Sequence, residues 1–159
     1  MSRSTGVSQE YKTVSTKPSI NGFRGDFRFL SNFWPAEIVV CGLTFPSTEH
    51  AYQALKSPHR EIWHEVKSMR RAADAKRLGK EIEVRPNWHR LKVPTMRLLL
   101  RRKFTIPDLR KALLLTNDHY LEETNHWGDT FWGVCNGIGE NHLGHLLMQV
   151  RKELQDAHA

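Results

Sequence analysis

Apolar residues return every three or four positions through much of the second half of this chain, and that period constrains its fold more than any other feature. Met96, Leu99, Leu100 and Phe104 form one stripe behind Pro94, Leu109, Leu113 and Leu114 follow Pro107, and Leu143, Leu146, Leu147, Val150 and Leu154 close the chain. Such spacing puts side chains on one side of an α-helix, and proline suits a first helical turn because its fixed φ is already helical and its missing N–H would be unpaired there anyway. Ile62, Val66, Met69 and Ala73 add a helical stretch up to Gly79, read as one long helix or two short ones with a restart near Ser68. Only residues 37–45 read as two short strands, joined by a turn at Gly42, with Thr130, Phe131 and Trp132 a further short strand. The sequence therefore predicts a mainly α fold, a single helical domain with a small antiparallel β element near its N-terminus. Strands do not alternate with helices, and no Gly-x-Gly-x-x-Gly follows a strand, which argues against a doubly wound dinucleotide fold.

Residues 1–22, rich in Ser, Thr and Lys, show neither period and read as a flexible N-terminal tail, leaving residues 23–159 as the folded domain. With 159 residues, 39% hydrophobic and 26% charged, the chain has the balance of one globular unit rather than of a disordered polymer. No apolar run reaches the roughly 18 residues of a membrane span, and no apolar signal core stands at the start. Two cysteines, Cys41 and Cys135, make neither a disulfide scaffold nor a zinc site, so a reducing cytoplasm is the expected compartment. The net charge of +7 favours anionic partners such as phosphorylated metabolites, nucleotides or nucleic acid.

Pro46-Ser47 is expected to stop the strand, with Ser47 or Thr48 capping a helix that runs to about Ser57 ahead of Pro58. At 100° per residue, Glu49, Gln53 and Lys56 fall within an arc of about 60°, opposite Ala51, Ala54 and Leu55. A carboxylate, an amide and an amine in one row suit a hydroxylated, charged substrate, but the same row suits a solvated helix face with an acid in its first turn. Trp127, Asp129 and Trp132 crowd a segment with two glycines that either plugs the core or stacks on a flat ligand. Gly137 and Gly139 precede the last helix and admit either a tight turn or an anion-binding approach to its N-terminus. The nine histidines fall in no familiar ligand pattern, so neither a metal nor another cofactor is expected, and Cys135 reads as an inert thiol.

Four blocks taken in order are more specific than any one: Phe29-Leu30-Ser31-Asn32-Phe33; Phe45 to Lys56 with its Ser47-Thr48-Glu49-His50 core; Asp129-Thr130-Phe131-Trp132-Gly133; and Asn141-His142-Leu143-Gly144. Together they resemble the NADAR, or YbiA-like, family from about Gly22 to Leu154, with Asn87-Trp88 and Lys103-Phe104 in further agreement. The resemblance implies a mainly helical fold and N-glycosidase activity, either on phosphoribosyl pyrimidine intermediates of riboflavin biosynthesis or on ADP-ribose attached to guanine bases. It also implies site roles. Glu49 and Asp129 match the family's acids, Trp88 and Trp132 its site tryptophans, and Asn32, Lys56 and Asn141 other motif positions expected to bind substrate.

The residue types agree with that chemistry, because breaking a ribosyl C–N bond builds positive charge at the anomeric carbon and needs a carboxylate and an attacking water. Glu49 is the expected catalytic carboxylate, with Asp129 as second acid, Lys56 for phosphate and a tryptophan for the base. The rival expectation is a module that binds ADP-ribose or nucleic acid without turnover.

Overall fold

The computed structural model describes residues 17–159, and helices occupy roughly half of these residues. The chain begins with β1 (Ser19–Asn21), a 3₁₀ turn over Gly25–Leu30, the hairpin strands β2 (Pro35–Val40) and β3 (Leu43–Ser47), and then α1 (Thr48–Leu55). Helices α2 (Arg60–Ser68), α3 (Ala72–Leu78), α4 (Trp88–Lys103) and α5 (Pro107–Leu114) follow. Strands β4 (Tyr120–Glu122), β5 (Thr124–Asn125) and β6 (Val134–Cys135) lead to the final helix α6 (His142–Asp156).

The hairpin forms for local reasons. Cys41 and Gly42 both take positive φ, at 51° and 74°, the pairing that a two-residue turn needs if its twist is to match that of the strands. Alternation then sends Ala36, Ile38, Val40, Leu43 and Phe45 into the core. Strand β3 stops at the Pro46-Ser47 pair as expected, with Ser47 its last residue. Register shifts between Pro35 and Ile38, and Pro46 lies in that irregular stretch, so its missing N–H interrupts no regular ladder.

Other β pairings depend on long-range contacts. Strand β1 runs parallel to β4, and β5 runs parallel to β6. Residues 19–22 therefore correct the expected tail boundary: Ile20 is buried, and Gly22 N–H donates to the Glu122 carbonyl at 2.9 Å. The rest of the expected tail, residues 1–16, lies outside the described residues. The strand expected at Thr130–Trp132 does not form, because Asp129 Oδ1 accepts from the N–H groups of Phe131 and Trp132 and turns them away from any ladder.

Ser47 is the N-cap of α1, its Oγ accepting from His50 N–H at 3.2 Å. His50 joins two elements. Its Nε2 meets the Met69 carbonyl at 3.1 Å and its Nδ1 meets Ser47 Oγ at 2.7 Å. A carbonyl only accepts, so Nε2 carries the proton and Nδ1 accepts from the serine hydroxyl. That carbonyl belongs to the extended residue separating α2 from α3, so the long helical period resolves into two helices that break at Met69. At the other end of α1, Arg85 donates to the carbonyls of Leu55 and Ser57 at 2.7 and 3.1 Å, and its own N–H bonds the Lys56 carbonyl.

Pro94 lies inside α4 rather than at its start, since the helix begins at Trp88 after a left-handed Asn87. Burial of Trp88 against Tyr52 draws the helix upstream of the proline, despite the missing donor that normally breaks one. Helix α4 packs on α1, α6 and β2, and Met96, Leu99, Leu100, Leu143, Leu147 and Val150 fill the shared core. Each such side chain contributes about 1.5–3 kcal/mol by leaving water. All eight residues of α1 are buried, with α2, α3, α4 and β3 around it.

Candidate active site

The polar row of α1 faces a cavity rather than solvent. Glu49, Gln53 and Lys56 line a space of about 550 Å³, joined by Tyr52 from the same helix. Arg28, Ser31, Asn32 and Phe33 come from the turn before β2, Lys76 and Lys80 from α3 and the loop after it, and Glu123, Trp127, Asp129 and Trp132 from the chain between β4 and β6. Met96 and Leu143 close the floor from α4 and α6.

Glu49 is 7% exposed and its position is fixed on two sides. Its N–H donates to the Asn32 carbonyl at 3.0 Å, and its Oε1 accepts from Gln53 Nε2 at 2.8 Å. Burial pushes the carboxyl above the ordinary glutamate range; the Gln53 bond and the ammonium groups of Lys76 and Lys56 pull it down, and the charge of Asp129 pushes it up. Lys56 Nζ donates to the Gly79 carbonyl at 2.5 Å and to Gln53 Oε1 at 3.5 Å. Burial lowers its pKa, Glu49 raises it and Lys80 lowers it again. At Gly79 a Cβ would stand 1.8 Å from Gln53 Oε1, so the Gln53 amide would have to move.

The cavity's other walls are fixed too. Lys103, fully buried, donates from Nζ to the Ser31 carbonyl at 2.8 Å, and so holds the turn that carries Asn32. Asn32 Nδ2 reaches Met96 Sδ at 3.5 Å, while its Oδ1 is buried with no protein partner. Asp129 is locked by Asn125, whose side chain bonds both the N–H and the carbonyl of residue 129 at 3.0 and 2.7 Å. Trp132 stands edge-on to Tyr52 with ring centroids 5.6 Å apart, and Lys76 Nζ lies 5.8 Å from the Phe33 ring and 5.7 Å from that of Trp127.

Of the seven residues named from sequence, the cavity gathers five: Asn32, Glu49, Lys56, Asp129 and Trp132. Trp88 lies outside the lining, its ring 5.4 Å from that of Tyr52, and Asn141 also lies outside it, bonded to the chain around β4. Gly137 and Gly139 are exposed and line no part of the cavity, so the anion-cradle alternative has no support there. Sequence reasoning missed Glu123, Tyr52, Arg28, Lys76 and Lys80. The two lysines carry a signal, four residues apart, but Glu123 stands in an acidic, aperiodic stretch that advertises nothing. Among the described residues no three His, Cys, Asp or Glu side chains group as metal ligands, and no helix is long and apolar enough to cross a membrane.

Comparison with known proteins identifies the family of this helical domain. The profile of the NADAR domain matches residues 22–155, and this chain belongs to that family. It is 38% identical over 136 residues to the N-glycosidase YbiA of Escherichia coli, covering 82% of this chain and 81% of that protein. A Nostoc punctiforme N-glycosidase is 36% identical over 133 residues, covering 79% of this chain and 85% of its relative. A riboflavin biosynthesis protein of Vibrio vulnificus is 42% identical over 132 residues, covering 80% of this chain, which spans 36% of that longer protein. The NMR structure of E. coli YbiA superimposes with a TM-score of 0.81 at 34% identity, covering 91% of this chain and 89% of that one. The E. coli and Nostoc relatives, of which this chain spans 81% and 85%, place it among the N-glycosidases.

Proposed function

We propose that the chain, through its domain from residue 23 onward, hydrolyses the N-glycosidic bond of a phosphoribosyl or ADP-ribosyl compound in the cytoplasm. The observation that carries this reading is the make-up of one cavity: Glu49, Asp129 and Glu123 beside Arg28, Lys56, Lys76 and Lys80, with Trp132 and Tyr52 as flat walls. Carboxylates suit the positive charge that grows on the anomeric carbon, cations suit phosphate, and aromatic faces suit the base. Names of relatives support the substrate class, since one acts in riboflavin biosynthesis and others are N-glycosidases. Two free cysteines, Cys41 exposed and Cys135 buried, agree with a reducing compartment.

In this reading Glu49 faces the anomeric carbon, takes a proton from the attacking water and stabilises the cation. Burial raises its pKa, and the Gln53 bond and two ammonium groups oppose that rise. Asp129 and Asn32 Oδ1 orient ribose hydroxyls, Lys56 holds phosphate and Trp132 stacks on the leaving base. Trp88 acts from behind Tyr52, and Asn141 acts through the backbone it bonds.

Replacing Glu49 tests this. Glu49→Gln keeps shape and the Gln53 contact but can neither neutralise the cation nor accept a proton, so turnover falls by about 10²–10³ while ligand binding stays within about tenfold. Assays with ribosylaminopyrimidine 5′-phosphates and with ADP-ribosylated DNA, read as released base or sugar phosphate by mass spectrometry, measure it. Tight binding of ADP-ribose with no turnover by the unaltered protein would convert the reading to a binding module.

A further inference from the structure

Glu123 is the cavity carboxylate to which neither the family motifs nor the reading above gives a task. It sits between β4 and β5 with its backbone fixed from three directions. Its N–H donates to Asn141 Oδ1 at 3.0 Å, and its carbonyl accepts from Val134 N–H at 2.9 Å. At Gly133 a Cβ would come 2.2 Å from the Glu123 carbonyl and 3.0 Å from its Cγ, so only glycine lets that strand press against this residue. Asn141, itself left-handed at φ 52°, also donates to the Leu121 carbonyl at 2.9 Å and to Tyr120 Oη at 3.1 Å. Two motif positions that line no part of the cavity, Gly133 and Asn141, thus both bear on Glu123.

The side chain so held is left incomplete. Glu123 Oε2 is buried and has no hydrogen-bond partner, although the residue lines the cavity. A buried carboxyl oxygen without a partner is costly, and a ligand in the cavity would supply the missing contact. Burial pushes the Glu123 pKa up to about 7, the charge of Asp129 adds to the push, and Arg28, Lys76 and Arg24 oppose it. Glu49, by contrast, is already engaged through Oε1 by Gln53. Glu123 Oε2 is thus open to a substrate nitrogen, whereas Glu49 Oε1 is already held.

We infer that Glu123 is a further catalytic residue, the general acid that protonates the departing nitrogen of the N-glycoside. The inference rests on the hydrolase reading and assigns its missing proton. The anomeric C–N bond breaks, its electron pair stays on nitrogen, and the Glu123 proton passes to that nitrogen. Water adds to the anomeric carbon and gives one proton to Glu49, leaving free amine, ribosyl hydroxyl, ionised Glu123 and protonated Glu49. Return of one proton from Glu49 to Glu123 through solvent completes the cycle.

The test uses the full chain, its Glu123→Gln variant, and a series of ribosylaminopyrimidine 5′-phosphates whose leaving amines carry substituents of graded electron withdrawal. For the unaltered protein kcat/KM falls as pH rises through about 7, where Glu123 of the free protein loses its proton, and kcat depends little on the leaving amine. In Glu123→Gln, kcat drops about 100-fold on the poorest leaving group, the alkaline fall disappears, and electron withdrawal recovers most of the loss. A merely structural role would lower kcat equally across the series and leave both the alkaline fall and the leaving-group dependence as they were, and that result overturns the assignment, as does unchanged turnover. If the unaltered protein cleaves none of these compounds nor ADP-ribosylated DNA, the hydrolase reading fails and this one with it. Turnover by the unaltered protein with an indifferent Glu123→Gln sinks this inference alone.

Discussion

Lys103 offers a sharp quantitative test, because a fully buried amine with a single hydrogen bond has few places to hide its charge. Burial lowers its pKa from 10.5 to about 7. At about 1.36 kcal/mol per pH unit, that span corresponds to an upper limit of about 5 kcal/mol between the two protonation states. The unfolded chain keeps the proton up to 10.5 and the folded chain releases it near 7, so between those values the unfolded state binds more protons and stability rises with pH. From pH 7 to pH 9 the rise from this one residue is about 2–3 kcal/mol at the limit, and about 1–2 kcal/mol once water entry and local relaxation are allowed for. Lys103→Met fills the same space without a titrating group. It leaves the Ser31 carbonyl without its donor, a loss of about 1–3 kcal/mol that does not depend on pH. Urea unfolding at pH 7 and pH 9 measures the double difference, in which all groups shared by the two proteins cancel. The expected outcome is a variant that loses ground to the unaltered protein by about 1–2 kcal/mol between the two pH values, or about 3–5 °C in melting midpoint. Parallel stability curves across this range would show that Lys103 keeps its charge when folded, and would refute the reasoning.

Two further outcomes follow from the α1 row. Gly79→Ala is conformationally welcome, with a helical φ of −60°, yet its Cβ would displace the Gln53 amide, so melting shifts by less than about 1 kcal/mol while kcat falls at least about tenfold. Thermal melts beside turnover assays separate the two effects, and a loss of stability without loss of rate would refute the link. Glu49→Gln should stabilise the fold at pH 8 relative to pH 4, because a carboxyl whose folded pKa is raised favours the fold below its ordinary 4.5 and loses that contribution as pH rises. Calorimetry at both pH values checks this, and equal midpoint changes at the two would contradict it.

Local rules carried the sequence reading a long way. The hairpin, the Ser47 cap and the helices at Pro107 and after Asn141 follow from turn residues, a side-chain oxygen and apolar period, all of which act within a few residues. What escaped depends on distant partners. The two-helix break at Met69 depends on His50, and the start of α4 upstream of Pro94 on Trp88 packing against Tyr52. The parallel pairing of β1 with β4 brings together segments about a hundred residues apart, which no short period can announce. The site divides in the same way. Glu49, Gln53 and Lys56 were readable as a row because one helix carries them, but whether that row met water or a cavity was decided by α3 and the chain around Asp129. Glu123 could not be picked out, since its importance comes from Gly133 and Asn141 closing on it in space.

Burial of α1 on every side has a dynamic consequence. Its start is tied to Met69 through His50 and its end to Arg85, so the helix carrying Glu49 cannot fray at either end without releasing a segment from elsewhere in the chain. Its amides belong to the slowest-exchanging, cooperatively opening part of the molecule. A substrate entering the cavity therefore meets this wall already in its working arrangement and spends little of its binding energy on ordering protein, so encounter, rather than folding of a loop around the ligand, sets the pace of capture.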